Sequence, residues 1–286
     1  QDVQLLLHLA DSFHDEPFTI SQLVRMSCSS IALQVFAEGI QQWREQDLRD
    51  FQQAFTRFNF CRDASRALKA ERVWSSTIIN YVESSPNKFH LLDNMFRADQ
   101  QQGLALGTLL MSVSPDGWFA LEKRNCCRMI DRYVLPEIDV ERRRIDPQAT
   151  HRAEQALSSL EAGAAPGLLF RHVFFARVLM PGGAGLPRRT AMAQTGVDSA
   201  VVACALELFR RQNGRLPERL DALEPGFISK LPQDIITGQA LKYRPGADGR
   251  YILYSVGWNE IDDGGVMVAA KPGESEVGGD WVWRLP

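Results

Sequence analysis

The helical periodicity that fills the first two thirds of the chain stops at Pro181-Gly182-Gly183-Ala184-Gly185-Leu186-Pro187, and this break constrains the fold more than any other feature. Before it, apolar residues recur every three or four positions; after it, one more helical run gives way to alternation over 241–256. A Pro- and Gly-rich stretch of that kind reads as a linker between separately packed parts. At 286 residues the chain has room for two domains of roughly 150 residues each. The expected fold is mainly α with a small α+β C-terminal domain. An all-α helical domain over 1–186 forms a bundle, and 187–286 supplies one long helix packed on a small antiparallel sheet.

Within the first part, 3–13 is periodic and Pro17 interrupts it before Thr19 or Ser21 caps the next helix. That helix carries Val24, Cys28, Ile31 and Val35 on one stripe, with Ala32, Phe36, Ile40 and Trp43 on an adjacent one. Two stripes make it apolar nearly all round, which predicts a central place in the bundle. Further helices are predicted at 47–58, 65–82, 89–110, 118–135 and 147–160, punctuated by Pro86, Pro115, Pro136 and the 163–167 stretch. The segment 168–180 mixes Phe170, Val173, Phe174, Phe175 and Met180 with Arg171, His172 and Arg177. It reads either as a basic amphipathic helix for a membrane surface or partner, or as an ordinary helix covering the bundle.

The charge balance, 32 basic against 35 acidic residues and a net charge of -3, gives no basic excess of the kind nucleic-acid binding domains carry. Arg142-Arg143-Arg144, Arg188-Arg189 and Arg210-Arg211 are short runs interleaved with acids, so a solvated face explains them. The window 26–43 lacks Lys and Arg yet holds three serines, three glutamines and Glu38, too polar for hydrocarbon. Residues 104–113 are apolar but too few to span a bilayer. The chain is already in helical pattern at Gln1, which leaves room for a removed leader or anchor and hence membrane proximity. Five cysteines, Cys28, Cys61, Cys126, Cys127 and Cys204, make neither a disulfide framework nor a zinc spacing, and read as small core residues.

Past the linker, Val197, Val201, Cys204 and Leu208 mark a strong helix that Gly214 is placed to end. Residues 217–223 read as a short helical turn. Residues 241–244 and 250–256 flank Pro245-Gly246-Ala247-Asp248-Gly249 as a hairpin, and a last strand is predicted over 280–285. In order, the tail presents Asn213-Gly214-Arg215-Leu216-Pro217, Leu231-Pro232-Gln233-Asp234, Leu241-Lys242-Tyr243-Arg244, Leu253-Tyr254-Ser255-Val256-Gly257 and Asp262-Asp263-Gly264-Gly265.

This series, over roughly 190–270, resembles the globular end of the major pseudopilin of type II secretion. The whole chain is also similar to a bacterial envelope-type family that joins a helical region to such a tail and brings no activity to transfer. The resemblance implies a calcium loop, with the carbonyl of Val256, the side chain of Asn259 and the carboxylates of Asp262 and Asp263 as ligands. Hard oxygens on a Gly-rich loop suit calcium. Asn259 stands where the family carries Asp and the loop is shorter, so affinity on the order of 0.1 to 1 mM is expected. The same residues equally make an ordinary turn. Residues 1–186 replace the leading hydrophobic helix through which pseudopilins assemble, so a fibre subunit is not expected.

No H-E-x-x-H, G-x-S-x-G, P-loop or G-x-G-x-x-G pattern is present, and His8, His14, His90, His151 and His172 all fall in the helical half. His90 with Asp93 is the nearest approach to a dyad. The expected function is a noncatalytic interaction or structural protein of the bacterial envelope, periplasmic or membrane-anchored, with a protein partner. The alternative is a hydrolase acting in a cleft of the helical domain. A cleft lined by His and shifted carboxyls would favour the enzyme; an exposed apolar surface without them would favour binding.

Overall fold

The computed structural model describes residues 2–96, 104–161, 167, 170–180, 185–246, 249–268 and 278–283. The described chain is mainly helical with small antiparallel sheets. It divides into two compact units: Gln1–Ser65 with Ile138–Pro147 and Leu186–Pro286, and Arg66–Glu137 with Gln148–Gly185. One junction, at 185/186, lies a residue from the expected boundary at 186/187. The remainder of the division differs, because the first 65 residues pack with the tail rather than with the rest of the helical region. Composition marks a linker locally, whereas the packing that defines a unit is long-range.

The first unit contains helices α1 (Asp2–Ser12), α2 (Thr19–Gly39), α3 (Glu45–Thr56), the start of α4 (Phe60–Ser84), and the two-stranded β1 (Ile138–Asp139) and β2 (Arg144–Ile145). The tail completes it. The long helix there, Leu186–Asn213, which we number α10, packs against α2, α3, β2 and the tail sheet. Every residue from 197 to 208 is buried. Ala200, Ala203 and Ala205 keep its surface low, and a Cβ on Gly196 would lie 2.9 Å from Leu33 Cδ1, so α2 comes close there. Gly214, at φ 69, ends the helix by donating its N–H to Arg210 O at 2.8 Å.

The central helix of this unit is therefore α10 and not α2. Ala32, Phe36 and Ile40 of α2 are buried as predicted, but Val24, Ile31 and Val35 face solvent. The buried side of α2 also holds Arg25, whose guanidinium pairs with Asp63, donates from Nε to Ala10 O at 3.0 Å, and lies over the rings of Phe58 and Phe60. Phe36 meets Phe51 and Phe55 edge-on at 5.3 and 5.1 Å. Arginine thus ties α1, α2 and α4 together while the phenylalanines close the core beside it.

In the tail, β3 (Lys242–Pro245), β4 (Tyr251–Ser255) and β7 (Trp281–Trp283) form an antiparallel sheet with β4 central, and β5 (Met267–Val268) pairs with β6 (Gly278–Gly279). The predicted hairpin is present with Tyr243 opposite Leu253. The predicted last strand lies beside β4; its end past 283 and the turn residues 247 and 248 lie outside the described residues. The predicted turn at 217–223 is a 3-10 helix over Leu220–Leu223.

The second unit holds the rest of α4, then α5 (Lys88–Phe96), α6 (Leu104–Ser112), α7 (Asp116–Met129), a π-helical turn (Ile130–Val134), α8 (Pro147–Glu161) and α9 (Phe174–Leu179). The single helix predicted over 89–110 is seen as α5 and α6, with 97–103 outside the described residues. Its core gathers Ile79, Val82, Leu92, Met111, Phe119, Cys126, Phe174 and Phe175. In the predicted segment 168–180, Phe170 is helical, residues 171 and 172 form a turn with His172 at φ 53, and Phe174–Leu179 is helical again and buries Phe174, Phe175, Ala176 and Arg177. Of the two readings of that segment, its apolar side serves as core cover. Residues 168 and 169 lie outside the described residues.

Buried Glu122 receives the backbone N–H groups of Phe174 and Phe175 at 3.2 and 3.0 Å, fixing the start of α9. Burial pushes its carboxyl up to about 7, against the opposing pull of those two donors. Glu137 is raised likewise, to about 7, by burial, with Thr150 opposing. A carboxyl raised above its ordinary 4.5 binds its proton more tightly when folded, so stability falls as pH climbs from about 4.5 to about 7 and levels off above. Each group contributes at most about 1.4 kcal/mol per pH unit in that window. Glu122→Gln is expected to flatten the slope by about half in denaturant titrations at stepped pH; an unchanged slope would remove Glu122 as a source.

Candidate functional site

The acidic loop follows β4, whose end is held by two buried aspartates, Asp234 of the Leu231-Pro232-Gln233-Asp234 motif and Asp280. Asp234 accepts Ile236 N at 2.8 Å and Thr237 N at 3.3 Å on Oδ1, and Val256 N at 3.2 Å on Oδ2. Asp280 accepts Asp263 N at 3.2 Å and Gly265 N at 2.6 Å. Gly257, at φ 73, sits where a Cβ would meet Gly279 O at 2.2 Å, so only glycine lets the two strands' ends approach. Nothing local distinguishes Asp234 and Asp280 from surface aspartates; burial makes the difference.

The expected calcium ligands lie around this frame. Asn259 donates to Asp263 Oδ2 at 2.9 Å and accepts Ile261 N at 3.1 Å. Asp262 Oδ1 accepts the Tyr254 hydroxyl at 3.0 Å and Gly264 N at 3.1 Å, while its Oδ2 faces Lys242 Nζ at 3.3 Å. These contacts, with the Tyr254 hydroxyl first, hold the Asp262 carboxyl below its ordinary range. Val256 is buried beneath the loop. Asn259 and Asp263 thus touch, whereas Asp262 turns to Tyr254 and Lys242, in the pattern of an Asx-stabilised turn. An ion here would have to displace the Lys242 ammonium. Among the described residues, no three His, Cys, Asp or Glu side chains converge as a metal group.

A second feature is a cleft of about 420 Å³ of mixed lining, with Phe58, Val201 and Ile228 beside Arg143, Asp198 and Lys230. Burial raises the Asp198 carboxyl against the opposing pull of Arg143. Its oxygens are nevertheless taken: Arg143 Nη2 donates to both at 2.9 and 3.2 Å, and Gln194 Nε2 to Oδ1 at 3.0 Å. Cys61, in the same neighbourhood, is a buried thiol pushed up to about 12 by desolvation, so no thiolate is at hand. The described lining holds no histidine. His8 borders a smaller cleft with Asp11, Asp50 and Arg57, His151 contacts Gln155, and His172 stands edge-on to Trp118. His14 lies 3.8 Å from Asp63, and His90 lines a separate surface pocket without Asp93.

The third feature is the outer face of α2. Ile20, Val24, Ile31 and Val35 are 67, 39, 53 and 37 % exposed, with half-buried Cys28 among them. At 100° per residue they occupy an arc of about 80°. Buried Met26, Ser29 and Leu33 lie on the opposite arc, with Arg25, Ala32 and Phe36 between. Neighbouring α1 leaves Leu5 and Leu9 exposed as well. Apolar residues gathered on one solvent face of a helix form a patch of the kind that can serve as an interaction surface. Of the described helices, α10 alone is long and apolar enough to cross a membrane, and 78 % of its apolar window is buried inside the protein.

Compared with protein-family models, with curated proteins and with solved structures, the chain finds no match. The reading of the site therefore rests on its residues and on the order of motifs in the tail.

The two buried aspartates, rather than the exposed pair, should govern the stability of the loop. Asp280→Ala is expected to cost about 3–5 kcal/mol, the loss of two charge-assisted hydrogen bonds with their buried N–H partners left unpaired. Asp263→Ala should cost under about 1 kcal/mol. Urea unfolding of the two variants decides it; equal losses would place the anchor elsewhere.

Proposed function

We propose that the chain is a noncatalytic interaction or structural protein of the bacterial cell envelope, acting through the outer face of α2. The single observation that carries this is the exposed row Ile20, Val24, Ile31 and Val35, opposite the buried face of the same helix. A row of β-branched side chains on a regular helix offers a rigid apolar surface at little entropic cost, suited to a protein partner. The envelope assignment, periplasmic or membrane-anchored, is drawn from the motif order that resembles a pseudopilin. The hydrolase alternative calls for a cleft within 1–186, where His8, Asp11 and Asp50 line one of about 200 Å³; the larger Asp198 cleft draws on the tail, and there a carboxylate held by Arg143 and Gln194 is poorly placed to act as a base.

A photo-crosslinking residue in place of Ile31, in the native cell, is expected to trap a discrete protein adduct, and one in place of Gln46 on α3 to trap none. Absence of an adduct from Ile31 would overturn the reading.

Weak calcium binding by Val256, Asn259, Asp262 and Asp263 belongs to the same proposal. Calcium at several millimolar should raise Tm by about 2–4 °C, as a ligand some tenfold above its Kd would. Asp262→Ala with Asp263→Ala should abolish the rise. Identical melting curves in calcium and in chelator would remove the ion.

A further inference from the structure

We infer that the occupant of the α2 outer face is a second copy of this chain, paired antiparallel about a two-fold axis between Ser27 and Cys28. This rests on the reading of that face as an interaction surface. Four exposed β-branched residues define the row, and their positions are symmetric about one point. Ile20 and Val35 lie equally far from it on either side, and so do Val24 and Ile31. Pairing two copies antiparallel sets Ile20 against the partner's Val35, Val24 against the partner's Ile31, and Ser27 against the partner's Cys28. An Ile meets a Val in each outer layer and small side chains meet at the centre. A surface that is its own complement under a two-fold rotation is what an isologous interface requires.

Charge selects the same arrangement. No Lys or Arg occurs between 26 and 43, and the exposed positions beside the row are Ser27, Ser30 and Gln34. Glu38 is the acid in line with the row. Parallel pairing would oppose it to the partner's Glu38, whereas antiparallel pairing separates the two acids to opposite ends. Antiparallel helices also set their macrodipoles favourably. Small Ser27 lets the helix axes approach. The row is about 23 Å long at 1.5 Å per residue. A helix pair of that length falls at the low end of specific interfaces, under about 1,200 Å² in total, so the dimer should be weak and concentration-dependent.

Sedimentation equilibrium of the full chain under reducing conditions, from about 5 to 500 µM, tests this. The weight-average mass is expected to rise from 32.2 kDa toward twice that value, and Ile31→Glu to hold it at the monomer. Because a charge on α2 can disturb folding, a second variant uses the register itself. In a Cys28→Ser background with oxidised glutathione, Ser27→Cys should form dimer disulfides to the partner's copy of the same cysteine at least tenfold faster than Ser30→Cys, which lies off the row. A monomeric mass at every concentration, or equal crosslinking of the two variants, would overturn the second copy. The mass of the in-cell adduct from Ile31 separates the two levels. An adduct of twice the chain mass supports both, one of another mass removes only the second copy, and none removes both.

Discussion

Helix α10 must be covered on every side, and the first unit is arranged around that requirement. An unbroken buried run from 197 to 208 needs neighbours all round, and α2, α3, β2 and the tail sheet supply them. Its few charged groups are matched rather than excluded. Asp198 takes Arg143 and Gln194, and Glu207 takes Arg210 and Arg211 at 2.8 and 2.7 Å. Removing one partner of such a buried pair is expensive, because the other charge is left without compensation. The Arg25–Asp63 pair follows the same logic, with two aromatic rings and the carbonyl of Ala10 sharing the guanidinium.

Covering α10 has a consequence for α2. One face of α2 is needed to shield α10 and to hold Arg25, so its second apolar stripe has nothing left in the unit to pack against. Exposure of Ile20, Val24, Ile31 and Val35 thus follows from the way the core is closed. The tail is built on a different device. Buried carboxylates of Asp234 and Asp280 accept backbone N–H groups from turns that lack a ladder of their own. Gly257 lets the strand ends approach closely enough for this. The exposed acids of the loop, by contrast, bond one another's neighbours and Lys242.

Much of the helical order was legible because apolar spacing at 3.6 residues is a local signal. The bounds of α1, α8 and the end of α10 at Gly214 agree closely with the pattern. The hairpin was legible through alternation on either side of a Pro-Gly turn, and its register came only with the structure. The candidate sites were less so. Asp262 and Asp263 drew attention as a cluster, while Asp234 and Asp280 carry the hydrogen bonds of the loop. Single aspartates look alike in a sequence until their burial is known.

The sequence by itself determined most of the helices, the β3–β4 hairpin and the last strand, and that none of the familiar catalytic motifs occurs in it, since each depends on residues close together along the chain; the short pairs β1–β2 and β5–β6 carry no such local signal. Only the tertiary structure decided that residues 1–65 belong with the tail, that α10 and not α2 is the central helix, and which of two apolar stripes on α2 faces outward. Periodicity reports that a side chain is apolar and which face of its helix it shares. What lies against that face depends on segments more than a hundred residues away, as Gln52 of α3 donating to Val201 O and Phe60 N donating to Gln194 Oε1 illustrate.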